Sequence, residues 1–324
     1  MRSTSAMALT STSPRGLYLA AVLAVMSVML ATFAACRRTE SAPPAPTFAT
    51  PQAAVMELAK AVKGGDLSEV MAIFGPDAQA LVDTSDPVTA RRNQQVFSVA
   101  FSEYWRVIPA GLGRATLVVG FEEWPFPIPL VKEGGKWRFD TAAGKEEVLA
   151  RRIGRNELAA IQICRTYVAA QRRYARSGHD GKRAGIYAAA FRSDPARENG
   201  LYWQARHGQR RSPLGDLLAA ASIEGVARGA SNEGPQPFHG YYFRILTAQG
   251  PAASGGARDY VVGGRLTGGF ALVAWPAEYD VTGIVTFMVN QEGVVFERDL
   301  GPDTDTAARA ISTYNPDSSW AAIR

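Results

Sequence analysis

The sequence predicts an α+β protein: a domain of helices on an antiparallel sheet, then a second domain with one long helix on an antiparallel sheet. Three observations lead there. Between about residues 48 and 150, stretches of helical periodicity come first and short strand-like runs follow, the order expected of an α+β layer. From Asn156 to Arg176, NELAAIQICRTYVAAQRRYAR places Leu158, Ile161, Cys164, Val168 and Ala175 at intervals of three, four or seven. Ala160, Tyr167 and Tyr174 widen that face, and Arg155, Gln162, Arg165, Arg172 and Arg176 oppose it. Beyond Tyr241 the chain breaks into short apolar runs separated by Gly and Pro, as in a meander.

A composition of 47% hydrophobic and 20% charged residues over 324 positions excludes a disordered chain and leaves room for two domains. The first 36 residues stand apart. A basic start without acids runs through Arg15, an apolar stretch follows from Leu17 to Phe33, and Phe33-Ala34-Ala35-Cys36 closes it. This segment resembles a bacterial lipoprotein signal peptide, in which two small residues precede the cut and the Cys thiol takes a diacylglycerol group. Phe33 stands where that motif usually has an aliphatic residue. The resemblance implies a signal peptide over 1–35 and lipid attachment at Cys36. With Arg37 rather than Asp after the Cys, it also implies an outer-membrane anchor facing the periplasm. An ordinary signal peptide cut near Ala35, or an uncleaved anchor helix, fits the same run, and all three export the rest.

Removing Arg2 and Arg15 with the leader lowers the formal charge from +5 to +3, and the other arginines are spread along the chain, so nucleic acid is not an expected partner. Residues 36–47, rich in Pro, Ala and Ser, read as a flexible tether. Acylation of Cys36 would leave Cys164 alone, a small buried hydrophobe on a helix face.

The first domain, 48–150, opens with Thr50 as a cap, Pro51 at a helix start, and Val55, Leu58, Ala59 and Val62 on one face before Gly64-Gly65. Asp66-Leu67-Ser68-Glu69 has capping-box spacing for a second helix bearing Leu67, Val70, Met71 and Phe74, stopped by Gly75-Pro76. Asp86-Pro87 starts a third, with Phe97, Ala100, Phe101 and Tyr104 spaced as a core face. Ala115–Gly120 reads as a strand, and Pro129–Lys132 pairs with Lys136–Asp140 across Glu133-Gly134-Gly135. The opening FATPQAAVMELAKAVKGGDLSEVMAIF and the closing GGKWRFD resemble nuclear-transport-factor-2-like and cystatin-like modules. That resemblance implies a cone that can host a pocket. Glu122-Glu123-Trp124 in FEEWPFPIP makes Glu123 and Trp124 candidate ligand-binding residues beside that cone, or a solvated pair on a proline-stiffened edge.

The second domain, 151–324, follows the long helix with an expected helix over Ala184–Phe191, a short one over Leu214–Ser222, and the runs YYFRILTA, DYVV, GFALVAWP, IVTFMVN and GVVFERDL as strands. Asn156, Glu157, Ala160, Arg165, Ala170, Gln171 and Tyr174, with the tail GFALVAWPAEYDVTGIVTFMVNQEGVVF, resemble the soluble domain of type IV pilins and pseudopilins. The resemblance implies a pilin-like fold, but the prepilin cleavage motif is absent. The blocks PFPIPLVKEGGKWRFDTAAGKEEVLARRIGRNE, AAFRSDPARENGLYW, SPLGDLLAAA, HGYYFRIL and GFALVAWPAEY resemble domain-of-unknown-function family 2950 over about Phe48 to Trp320. A shared architecture is implied, without a mechanism.

Chemistry-bearing patterns are sparse. His179, His207 and His239 stand apart in sequence, so no metal is expected, and no Gly-x-Ser-x-Gly elbow occurs. Gly263–Gly269 lacks the Lys-Ser/Thr ending of a phosphate loop, and Asp299–Asp305 lacks EF-hand spacing. His239, among Phe238, Tyr241, Tyr242 and Phe243, is a third candidate ligand-binding residue, or a hydrogen-bonded His where a strand begins. The expected function is a non-enzymatic exported lipoprotein that binds or scaffolds another envelope component, with no cofactor. The alternatives are a small-molecule binder or enzyme using a first-domain pocket, and an accessory part of a pilus-like or secretion assembly.

Overall fold

A computed structural model describes residues 45–81, 87–205, 210–215, 230–231, 234–235 and 237–323. The leader, Cys36 and most of the tether lie outside these residues. The chain divides into two compact units, one through Thr141 and one from Ala142 onward. Helices and antiparallel sheets make up both, an α+β fold. Among the described residues, every buried core residue lies between Ala54 and Trp320.

In the first unit, α1 spans Pro51–Gly64. The Thr50 hydroxyl accepts from Ala53 N–H at 3.1 Å, Pro51 fills the first turn, and Gly65 closes the end at φ +73°. Ala54, Val55, Leu58 and Ala61 are its buried face. Asp66 caps α2, Leu67–Phe74, by accepting from Ser68 N–H. Leu67 itself is exposed and only Ile73 and Phe74 are buried, because so short a helix turns its first residue outward. A 3-10 turn, Pro76–Leu81, leads toward α3, Pro87–Glu103.

The sheet comprises β1 (Trp105–Pro109), β2 (Arg114–Val119), β3 (Trp124–Pro125), β4 (Leu130–Glu133) and β5 (Lys136–Phe139) in the order β1-β2-β4-β5, with β3 beside β2. The expected hairpin is present. Glu133 faces Lys136 across Gly134 and Gly135, whose positive φ angles suit a tight two-residue turn. β1 is an addition to the sequence reading, which carried the α3 core face on to Tyr104. The helix stops at Glu103, and Tyr104 is exposed with its ring stacked on Phe121 at 6.2 Å. Leu117, Leu130 and Phe139 from the sheet meet Leu58, Phe74 and Phe101 from the helices, and the rings of Phe74, Phe97, Phe126 and Phe139 pack against one another between them, stacked, tilted or edge-on.

The second unit is organised by α4, Thr141–Ala175, at 35 residues well beyond the expected start near Asn156. Its buried face is Ala160, Ile163, Cys164, Tyr167, Val168, Ala170, Gln171 and Tyr174. Leu158, expected on that face, is instead 69% exposed. Tyr167 and Tyr174 mark the true centre of the stripe and Leu158 falls about half a turn away.

Short pairs follow: β6 (Ala230–Ser231) with β7 (Gly234–Pro235), then, after β8 (Tyr241–Leu246), β9 (Ala248–Gln249) with β10 (Arg258–Asp259) and β11 (Val261–Val262) with β12 (Arg265–Leu266). The main sheet adds β13 (Ala271–Pro276), β14 (Val285–Asn290), β15 (Val295–Asp299) and β16 (Ala321–Ala322), in the order β16-β15-β14-β13-β8. It is the expected antiparallel meander. All six residues of β13 are buried, as suits a central strand covered on both faces. On one face, Tyr242, Arg244 and Trp275 meet α5, Thr304–Ala310. Arg244 donates to the Arg309, Ala308 and Ile311 carbonyls at that helix's C-terminal end, where a cation is favoured.

The helix expected over Ala184–Phe191 is absent, and that stretch is irregular. Its backbone groups bond elsewhere: Gly185 N–H to Ala175 O, Tyr187 N–H to Leu266 O, and Ala188 N–H to the Gln171 side chain. The expected helix over Leu214–Ser222 lies outside the described residues beyond Gly215.

Candidate functional site

Glu123 sits in the turn after β2 at φ +53°, a backbone conformation uncommon for a residue with a side chain. Its carboxylate accepts from Arg106 Nε at 3.0 Å and Nη2 at 2.6 Å. The hydrogen bond to Glu123 raises the Arg106 pKa above the usual guanidinium value. Both side chains are about half exposed, so water screens the pair and it adds little to stability. Trp124 begins β3, where it pairs with Val119 of β2, and is 46% exposed. Glu123 and Trp124 therefore stand on the outer edge of the sheet, while the space between sheet and helices is filled by phenylalanines.

His239 belongs to the second unit. It takes φ +48° in the turn before β8 and packs edge-on against Phe238 at 4.3 Å. Its residue surface remains exposed, yet partial loss of water around the ring lowers its pKa below the ordinary histidine value. Neither unit by itself brings the three candidates together. Cys36 lies outside the described residues.

Two features had no sequence signal strong enough to single them out. The first is an open groove of about 750 Å³ in the first unit, between the segment carrying Pro46 and Phe48 and the outer sides of α1 and α2. Ala61, Met71, Ile73 and Pro76 form an apolar floor, and Glu57, Lys60, Ser68 and Glu69 add polar groups. Glu57 and Lys60, one helical turn apart, pair at 3.5 Å with both side chains largely exposed. The groove can hold a ligand that is apolar on one side and polar on the other. It offers no buried acid or base.

The second is His179, buried just after α4. Its Nε2 lies 3.0 Å from the Tyr174 carbonyl and its Nδ1 3.1 Å from Glu198 Oε2, with the ring stacked on Tyr174 at 4.1 Å. The carbonyl can only accept, so Nε2 carries a proton and caps the helix end. The hydroxyl in the same loop, Ser193, accepts from Gly200 N–H at 2.9 Å rather than facing the imidazole. Arg197 pairs with Asp180, and Tyr174 Oη donates to Glu198 O, so the AFRSDPARENG segment folds back onto the helix end. The sequence cue was His179-Asp180 beside a helix-ending Gly178, with counter-charges at Arg197 and Glu198.

Asp299 and Asp305, in the acidic stretch, are likewise engaged. Asp299 accepts from Gly301 N–H and Tyr279 Oη, and Asp305 from Trp275 Nε1 and Arg309. Among the described residues, no group of three or more His, Cys, Asp or Glu is placed to hold a metal ion.

A family model described as "Protein of unknown function (DUF2950)" matches residues 45–323. No curated protein and no solved structure matches the chain.

Proposed function

The chain belongs to the DUF2950 family, and from that premise we propose that it is a non-enzymatic, exported lipoprotein of the bacterial cell envelope that binds or scaffolds another envelope component. The observation that carries the proposal is the leader: a basic start, the apolar run Leu17 to Phe33, and Phe33-Ala34-Ala35-Cys36. The lipid on Cys36 fixes the chain to the outer membrane on its periplasmic side, and residues 37–47 hold the body off the surface. Further support comes from the first unit, where a filled aromatic core occupies the place a catalytic pocket would need. The test is the intact mass of detergent-extracted protein beside a Cys36→Ala control. A mass for cleavage before Cys36 plus diacylglycerol, absent from the control, supports the anchor; a cleaved but unacylated chain overturns it.

A second reading, capture of a small amphipathic molecule, is favoured by the groove beside α1 and α2. A thermal-shift screen against apolar acids and amines tests it, with Met71→Trp to fill the floor. A ligand that stabilises the parent but not this variant supports the groove; one that stabilises both equally removes it from consideration.

A further inference from the structure

The exposed face of α4 carries a row of cations. At 3.6 residues per turn, Arg155, Leu158, Gln162, Arg165, Arg172 and Arg176 fall within an arc of about 100°, and all six are exposed. The buried residues Ala160, Tyr167, Gln171 and Tyr174 occupy the opposite arc. From Arg155 to Arg176 the helix has one acid, Glu157, and it is turned away from the row: its Oε1 accepts the Ile284 and Val285 N–H groups at 3.0 and 3.2 Å. Arg172 donates to the Gln291 carbonyl at 2.8 Å. Among the described residues no ion pair engages Arg155, Arg165 or Arg176.

An ordinary solvated helix face mixes both signs of charge. Between Arg155 and Arg176 this one does not, the nearest acid on the same face being Glu147, which pairs with Arg151, and one turn from the start of the row stands Leu158, 69% exposed. The helix dipole accounts for the cations in the last turn and just past it, Arg172, Arg173 and Arg176. It does not account for Arg155 and Arg165, about three turns or more from the C-terminal end.

We infer that this face docks on an anionic phospholipid surface, with the guanidinium groups on lipid phosphates and Leu158 entered between headgroups. Guanidinium forks match phosphate oxygens two at a time. A helix lying in the interface combines a basic face with inserted apolar side chains, and each cation near such a surface adds about fivefold to binding. The setting rests on the lipid-anchored reading above, since a tether of about a dozen residues reaches at most ~40 Å and keeps the body near headgroups. The docking itself requires no anchor, so the two readings fail separately.

The stretch from Ala45 onward contains both buried cores and can be tested without the leader. Its flotation is measured with vesicles of phosphatidylcholine alone and of phosphatidylcholine mixed with phosphatidylglycerol. Binding to the mixed vesicles only, weakening as salt rises, is expected. Replacing Arg155, Arg165 and Arg176 together by Gln lowers that binding about a hundredfold, and replacing all three by Lys retains most of it. Leu158→Ser costs about tenfold. Equal binding to neutral vesicles, or a triple Gln variant that binds like the parent, overturns the inference. So does displacement by millimolar inorganic phosphate, which would mark a discrete phosphate site, or by duplex DNA at equal charge, which would mark a general polyanion surface. Failure here with diacylglycerol still found on Cys36 leaves the anchor reading standing.

Discussion

Gln171 holds Ala188 by both ends of its amide: Nε2 donates to the Ala188 carbonyl at 2.7 Å, and Oε1 accepts the Ala188 N–H at 2.9 Å. Nε2 also donates to Tyr167 Oη, and that hydroxyl lies 3.2 Å from the Ala271 carbonyl of β13. One fully buried side chain thus links the helix, an irregular segment and the sheet. Gln171→Glu keeps the shape but removes both donated bonds and buries a charge. It is expected to destabilise the fold by ~3 kcal/mol, read as a lower urea midpoint at unchanged slope. A midpoint within error of the parent would show that the clamp contributes nothing.

The same contact marks the limit of what the sequence could convey. Apolar spacing in Ala184–Phe191 suits a helix, but the groups that claim its backbone, Gln171, Ala175 and Leu266, come from other parts of the chain. Local signals fared better. The Thr50 cap, the Pro51 start and the Gly134-Gly135 turn each act within four residues, and each stands where the periodicity places it. Four of the five strands of the second sheet were legible because Gly and Pro punctuate them; the run DYVV instead supplies part of two short pairs, and the edge strand β16 is too short to carry a pattern. The groove and the His179–Glu198 pair were not, since both arise from packing between segments with no shared motif.

Cys164 lies at full burial on the inner face of α4, and that burial pushes its thiol pKa up to about 12. Thiolate is the reactive form. A disulfide reagent at pH 8 is therefore expected to leave Cys164 untouched in the folded protein and to label it in urea. Labelling of the folded body faster than its unfolding would mean that the core around Tyr167 and Tyr241 opens locally.

Several carboxylates are held below their ordinary pKa values. The Arg197 hydrogen bond lowers Asp180, Arg138 lowers Glu133, Arg309 and then Trp275 lower Asp305, and Ser68 and Ser319 lower Asp66 and Asp317. A depressed carboxylate contributes stability that is fully present above its unfolded pKa, near 4, and lost as pH falls through the folded value. These five carboxylates are thus expected to hold the unfolding free energy level down to about pH 4 and to let it decline below that, with a smaller decline beginning below pH 6.5 from His239, whose folded ring resists protonation. Asp305→Asn, which keeps an acceptor for Trp275, should make that decline shallower. A decline already under way near neutral pH would assign the acid sensitivity to groups other than these five.

Gly154 lies inside α4, two residues before the start at Asn156 that the sequence reading gave the helix, and a glycine loses more conformational freedom in a helix than any other residue. The helix runs through it for 35 residues in all, so the surrounding chain bears that cost. A Cβ built at Gly154 meets no atom within 4 Å, and its φ is not among the positive ones. Gly200 differs, since a Cβ there would stand 2.5 Å from the Arg192 backbone. Gly154→Ala is therefore expected to stabilise the protein by ~0.5–1 kcal/mol through the unfolded chain, whereas Gly200→Ala is expected to cost ~1–3 kcal/mol by overpacking. Thermal melts of the two variants beside the parent read both signs at once. A destabilised Gly154→Ala would show that the helix bends at this position to fit its surroundings, and that the glycine is required there rather than merely tolerated.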